Sequence, residues 1–320
     1  MISKNKIAVV AVYFGKLPNY FPLWLKSCKH NPTIDFYLFT DNSLSNLPAN
    51  VQCVSMTLLE MQRRATKVLC FDAVLTRPYK CCDYKPLYGL LFADYLASYD
   101  YWGHCDIDLI FGDLQYFFDV NHLYDYDKFN TLGHLSLFRN CQEVNTAYLI
   151  PNKRKDYRKV YTNEKNETFD ELDGISSIMM ESGFRVFTKR IFIDIATKYH
   201  RYRIISVYPL DVKPTNYPIQ TYCWEDGKVY HIYMKDDSFC KEEYMYIHFQ
   251  KRPNYPITDA LIQSNSFFLT NHGFYSADGI VLTKEVVLKL NPYYGKIYEQ
   301  IEYIYRLYTS KIKSRLKRSR

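Results

Sequence analysis

No apolar run in this chain of 320 residues approaches the roughly 18 residues that a membrane-spanning helix needs. No C-x-x-C pair occurs among its nine cysteines, at positions 28, 53, 70, 81, 82, 105, 141, 223 and 240. An odd count with that spacing argues against both a zinc site and a disulfide framework. Internal repeats and low-complexity linkers are also missing. The opening stretch, MISKNKIAVVAVYFG, has only six consecutive apolar residues before Tyr13, too few for a secretory signal. Reduced cysteines in the cytosol are therefore expected, and the sequon Asn166-Glu167-Thr168 has no meaning there. A spread-out positive charge is missing too. The net charge is +7, but six of the last ten residues, KIKSRLKRSR, are basic. The body is close to neutral, which excludes a general nucleic-acid binder.

What is present is enough for a full core: 48% of the residues are hydrophobic, and global disorder is excluded. Tyrosine alone accounts for 32 residues. Each ring offers an apolar face and a polar tip, which suits carbohydrate or lipid head-group contact. An AT-rich coding sequence gives the same bias. KIAVVAVYFG reads as a buried strand and a glycine turn, NYFPLWLKSCKHN as a helix, and IDFYLFTDN and VQCVSMT as two further strands. That is the opening of a parallel α/β sheet. KPLYGLLFADYLASYD reads as a helix with Pro86 in its first turn. The strand YDYWGHCD then carries Asp106 and Asp108 to its carboxyl end, where open α/β sheets bind ligands.

Further on, YDKFNTLGHLSLFRN reads as strand, turn and strand. Residues 152–168 read as an exposed loop. DELDGISSIMMESG and KRIFIDIATKY read as helices, and KVYHIYMK and EEYMYIHFQ as strands. From Tyr293 the chain reads as a helix with Ile297, Ile301, Ile304, Tyr305, Tyr308 and Ile312 on one stripe.

Two aspartates at i and i+2 on a turn leaving a strand can share one hard cation, and Mg²⁺ or Mn²⁺ accept oxygen ligands while keeping positions for phosphate oxygens. Such an ion stabilises a diphosphate leaving group. The plainer alternative is a turn cap beside a solvated carboxylate.

The β-α-β opening, YKCCDYKPLYG, GHCDIDLIFGDL, GHLSLFRN and YIHFQKR together resemble the small bacterial glycosyltransferases that build capsule and O-antigen polysaccharides, of the GT-A type with a D-x-D motif. The resemblance runs to about residue 255. It implies an α/β fold with a GT-A-like, Rossmann-type nucleotide-binding sheet and a C-terminal helical extension. Expected domains are 1–255, with a donor half 1–114 and an acceptor half 115–255, and an extension 256–320 ending in a basic amphipathic helix. It implies Mn²⁺ or Mg²⁺ held by Asp108 directly, with Asp106 on the ribose or on the metal through water, and His248 completing the metal site. Tyr13, Phe14, Gly15 and Asp41 would meet the nucleoside. Asp83 and Lys85 would lie near the donor phosphates, and Lys251 and Arg252 would grip the diphosphate.

An inverting transferase also needs a carboxylate base. FDELDG offers Asp170, Glu171 and Asp173, with Glu171 first, Asp170 next and Asp173 on the acceptor side. Acids at a helix start also favour its dipole. His134 is a further candidate for acceptor positioning. The implied activity is hexose transfer from a nucleotide sugar, UDP-linked, of galactose, galactofuranose or N-acetylhexosamine type. The implied acceptor is a hydroxyl of a lipid-linked polysaccharide. The basic tail implies reversible contact with the anionic inner face of the membrane, and no nucleic-acid partner is expected. Alternatives are a non-catalytic carbohydrate-binding protein and a phosphatase of the haloacid dehalogenase type. The latter fits poorly, because its nucleophilic aspartate usually lies near the N-terminus.

Overall fold

The run IAVVAVY forms β1 (Ile7–Tyr13), buried through its first five residues. A strand apolar on both faces belongs inside a parallel sheet with both sides covered. The structure is a computed structural model that describes residues 5–205, 215–250 and 255–318; beyond residue 309, only the side chain of Ile312 is described. After β1, helix α1 (Phe21–Lys29), with Pro22 in its first turn, leads to β2 (Ile34–Thr40) and then β3 (Val51–Ser55). Helix α2 (Leu58–Leu69) follows, one that the sequence reading passes over. Its signals are local: Thr57 and Glu60 form a capping box, and Met61, Ala65 and Leu69 recur at the four-residue spacing of a buried face. β4 (Tyr101–Cys105) then inserts on the other side of β1, parallel to it.

β5 (Leu109–Phe111) joins a different sheet, while β6 (Lys128–Phe129), β7 (Leu135–Arg139) and β8 (Val186–Phe187) complete the first, in the order β3-β2-β1-β4-β7-β6-β8. β7 runs antiparallel to β4 and β6, so the sheet is mixed. The fold class is α/β, as expected. By packing, the chain divides into two compact units: Met1–Leu109 with Leu114–Arg190, and Ile110–Asp113 with Ile191–Arg320. This packing division does not fall at residue 255.

The second unit holds β9 (Ile193–Asp194), β10 (Gln220–Glu225), β11 (Lys228–Lys235), β12 (Ser238–Tyr244), β13 (Tyr246–His248), β14 (Ser266–Thr270) and β15 (Gly273–Ser276). They form a five-stranded antiparallel sheet, β12-β11-β10-β14-β15, and a three-stranded one, β5-β13-β9.

Three local readings are corrected. KRIFIDIATKY is not a helix: Ile193 and Asp194 pair in parallel with Ile247 and His248. Phe192 to Ala196 are all buried, so both faces are covered and a short run of this kind is ambiguous in period. Residues 152–168 are not only a loop, because they carry the helix Tyr157–Thr162, capped by Asp156, with Val160 and Tyr161 buried. The helix expected from Lys85 is broken into Lys85–Leu87, Tyr88–Leu91 and Ala93–Leu96, with the break at Phe92, which stacks on Phe39 at 3.9 Å. The C-terminal helix is present as Lys296–Arg318.

Candidate functional site

In the first sheet the chain steps outward from β1 to β2 and β3, then returns to place β4 on the opposite side of β1. That reversal opens a crevice at the carboxyl ends of β1 and β4, the usual ligand position in such sheets. Two turns line it. After β1, Gly15 adopts φ +91°, a left-handed value that glycine takes at no steric cost. Its amide donates to both carboxylate oxygens of Asp41, at 2.9 and 3.2 Å, and Asn42 donates to its carbonyl at 2.8 Å. Asp41 therefore fixes the turn. Tyr13 is partly exposed, and burial together with the charge of Asp108 raises its phenol pKa. Phe14 is buried in the core cluster on this sheet.

After β4, carboxylate oxygens of Asp106 and Asp108 lie within 4.8 Å of one another. Asp108 is buried and Asp106 is a third exposed at its side chain. The two oxygen donors fit a hard divalent cation. Asp106 is set by its backbone amide, which donates to the His134 carbonyl at 2.9 Å, and by Lys85.

Lys85 is a hub. Its ammonium donates to Asp106 Oδ1 at 2.8 Å, to Asp170 Oδ2 at 3.0 Å and to the Gly133 carbonyl at 2.7 Å. Burial opposes its charge, yet Asp106 and Asp170 hold its pKa well above the ordinary lysine value. The expected charge at the donor edge is thus tied to Asp106, Asp170 and the Gly133 carbonyl.

Asp170 is buried, and burial raises its carboxyl pKa against the pull of Lys85. Glu171 beside it is pushed up to about 7, first by burial and then by the charge of Asp170. Its carboxylate accepts the Gly133 amide at 3.2 Å. Gly133 makes this approach feasible: a Cβ there would lie 2.2 Å from Asp170 Oδ2 and 3.0 Å from Glu171 Oε1. Beneath lies Lys128, buried, donating to Ser136 Oγ at 2.8 Å and to the Asn130 carbonyl, its pKa lowered to about 7 by burial. His104 is also buried, and burial and the two lysines keep its imidazole neutral.

Other sequence candidates sit elsewhere. Asp83 is fully buried, bonded to Lys80 at 2.8 Å and to the amides of Glu167 and Phe169. It holds the 165–169 loop, which corrects its expected place on the donor phosphates. Asp173 is exposed and pairs with Arg154 at 2.7 Å, and it does not lead a regular helix, since Gly174 has non-helical angles. His134 is buried. In the second unit, His248 Nδ1 lies 2.9 Å from Asp194 Oδ1, and Gln250 donates to the same oxygen at 2.7 Å. Lys251 and Arg252 lie outside the described residues. The sequence reading misses Gly133, Lys128 and Asp194. The glycine in TLGHL, between two short strands, is the one signal that was available.

The chain is similar in structure to a galactosyltransferase, LgtC, solved in complex with donor and acceptor sugar analogues: 12% identity, 58% of this chain and 75% of that one covered, TM-score 0.32. It is also similar to the glycosyltransferase GlyE of Streptococcus pneumoniae TIGR4, at 13% identity and TM-score 0.32, with 58% of this chain and 45% of that one covered, so it spans under half of GlyE. No curated protein matches. A family model matches residues 9–278, well over half of the chain, and the chain belongs to that family, the family of unknown function DUF6625.

Proposed function

We propose that the chain is a metal-dependent glycosyltransferase that moves a hexose from a nucleotide sugar, UDP-linked, to a hydroxyl of a saccharide acceptor, with inversion. The observation that carries this is the pair Asp106 and Asp108, their oxygens within 4.8 Å at the carboxyl end of β4, in one unit with Glu171, whose pKa stands near 7. Asp108 is the direct metal ligand, and Asp106 is held in register by Lys85. A bound Mn²⁺ or Mg²⁺ supplies charge that stabilises the departing diphosphate. His248 is retained as a further ligand, since a carboxylate on one ring nitrogen is how metal-binding imidazoles are generally oriented, and Asp194 supplies one.

Tyr13 and the Gly15 turn are suited to the nucleoside. Glu171 takes the acceptor hydroxyl proton as the glycosidic bond to the leaving group breaks, because a base is most effective when its pKa lies near the working pH. Asp170 has its carboxylate on Lys85 and serves as a positioning residue. His134 and Asp173 are assigned to the acceptor side.

The acceptor is proposed to be lipid-linked and the contact with the inner membrane face peripheral. Ile297, Ile301, Ile304, Tyr305, Tyr308 and Ile312 are 52–74% exposed, which favours an interfacial helix over one packed on its apolar stripe. No helix among the described residues is long and apolar enough to cross a membrane. The six basic residues among the last ten lie where side chains are not described.

A thermal-shift screen of UDP-, GDP- and dTDP-sugars with and without Mn²⁺ tests the reading. One nucleotide sugar should raise the melting temperature only with the metal, and not in His248→Ala or Asp108→Ala. No shift with any donor refutes the proposal; a shift that survives His248→Ala removes only that residue from the ligand set.

A further inference from the structure

The second unit contains a cavity of about 300 Å³, lined by Tyr199, Arg201, Arg203, the Asn216–Pro218 segment and residues from Tyr293 to Gln300. Its charged lining is two arginines and Lys296 against the single carboxylate of Glu299, an excess of two positive charges. We propose that this cavity binds a phosphorylated sugar, with the phosphate dianion matched to that excess and the sugar ring set against tyrosine. The binding stands apart from the transfer reaction proposed at β4.

The arginines are fixed in place before any ligand arrives. Arg201 donates to the carbonyls of Pro218 and Tyr217, at 3.1 and 2.6 Å, and stands 5.0 Å over the Tyr293 ring. Arg203 bonds to Glu299 and lies 4.4 Å over Tyr199. Buried Glu299 is shared between them, with Arg201 Nη1 at 3.5 Å. A preorganised guanidinium loses little freedom on meeting an oxyanion. Lys296 is exposed and forms no ion pair with a described residue. It opens the long helix, whose backbone ladder starts with the Glu299 amide on the Gly295 carbonyl. The amides before that bond add partial positive charge at the same end. The volume is at the bottom of the ~300–1,000 Å³ typical of small-molecule sites, which suits one sugar and one phosphate.

Calorimetric titration into the full chain, and into Asp108→Ala to remove donor-site binding, tests this with galactose 1-phosphate, inorganic phosphate and galactose. Galactose 1-phosphate should bind most tightly and galactose least, in both proteins. Lys296→Glu, at an exposed position, should keep the fold by circular dichroism and weaken galactose 1-phosphate by ~10-fold or more, the scale of a lost bond to a charged group. Phosphatidylcholine vesicles carrying phosphatidic acid separate the phosphate sources. Displacement of the vesicles by galactose 1-phosphate assigns the cavity to a lipid-borne phosphate as well, and no displacement assigns it to a free sugar phosphate. Equal binding of galactose and galactose 1-phosphate, no binding of any phosphate, or an unaltered Lys296→Glu would overturn the proposal.

Discussion

Lys80 and Lys85 stand five positions apart in one stretch, YKCCDYKP, and each meets aspartate in the interior of the first unit. The Lys80 pair is closed. Both side chains are fully buried, and the remaining bonds run to backbone: the carbonyls of Val160 and Lys165 for the ammonium, the amides of Glu167 and Phe169 for Asp83. The Lys85 cluster is open at one end, because its partner Asp106 is a third exposed at the carboxyl edge of β4. The same residue types therefore do different work. One group ties a loop down; the other charges and orients the edge proposed to receive the metal and donor.

The largest effect should come from the closed pair. Asp83→Ala strands a buried ammonium and should cost ~3–5 kcal/mol, read as a fall in the urea midpoint. A loss under ~1 kcal/mol would erase the contrast. Lys85→Met should destabilise less, since Asp106 reaches solvent and burial already raises the pKa of Asp170, which eases its protonation once the lysine is gone. It should depress turnover more, by freeing Asp106 to move.

Glu171→Gln sharpens the open end: turnover should fall ~10²-fold or more, with UDP binding intact. The wild-type rate should climb with pH through about 7, as the base loses its proton. Stability runs the opposite way. A carboxyl whose folded pKa is raised holds its proton more tightly in the native state, so its contribution falls as pH rises from its ordinary value toward about 7. Glu171→Gln should flatten that slope in a urea series across pH. The smallest effect belongs to the exposed pair: Asp173→Asn should change stability by less than ~1 kcal/mol and alter only the acceptor KM.

How much of this was legible follows from range. β1 and β2 are apolar runs bounded by turn residues, and the D-x-D pair follows the buried strand β4, so the edge and its acids are readable. The fate of Asp83 and Lys85 is not. Apart from Lys80, three positions before Asp83, the partners cited for them lie 21 to 86 positions away, and a lysine before a short helix looks the same whether it faces phosphate or a buried carboxylate. Glu171 reads as the first candidate base, but its raised pKa comes from burial and from the charge of Asp170 beside it, and no local pattern announces that burial. The run around Ile193 reads as a helix because a two-residue strand buried on both faces has no period to detect.

The central claim is that the Asp106 and Asp108 edge receives a metal and a nucleotide diphosphate. Calorimetric titration of UDP with and without Mn²⁺, in the wild type and in Asp108→Asn, tests it most directly. The account predicts UDP binding that requires Mn²⁺ in the wild type and is absent from Asp108→Asn, with the thermal unfolding of the variant nearly unchanged. UDP binding that needs no metal and survives Asp108→Asn would contradict it.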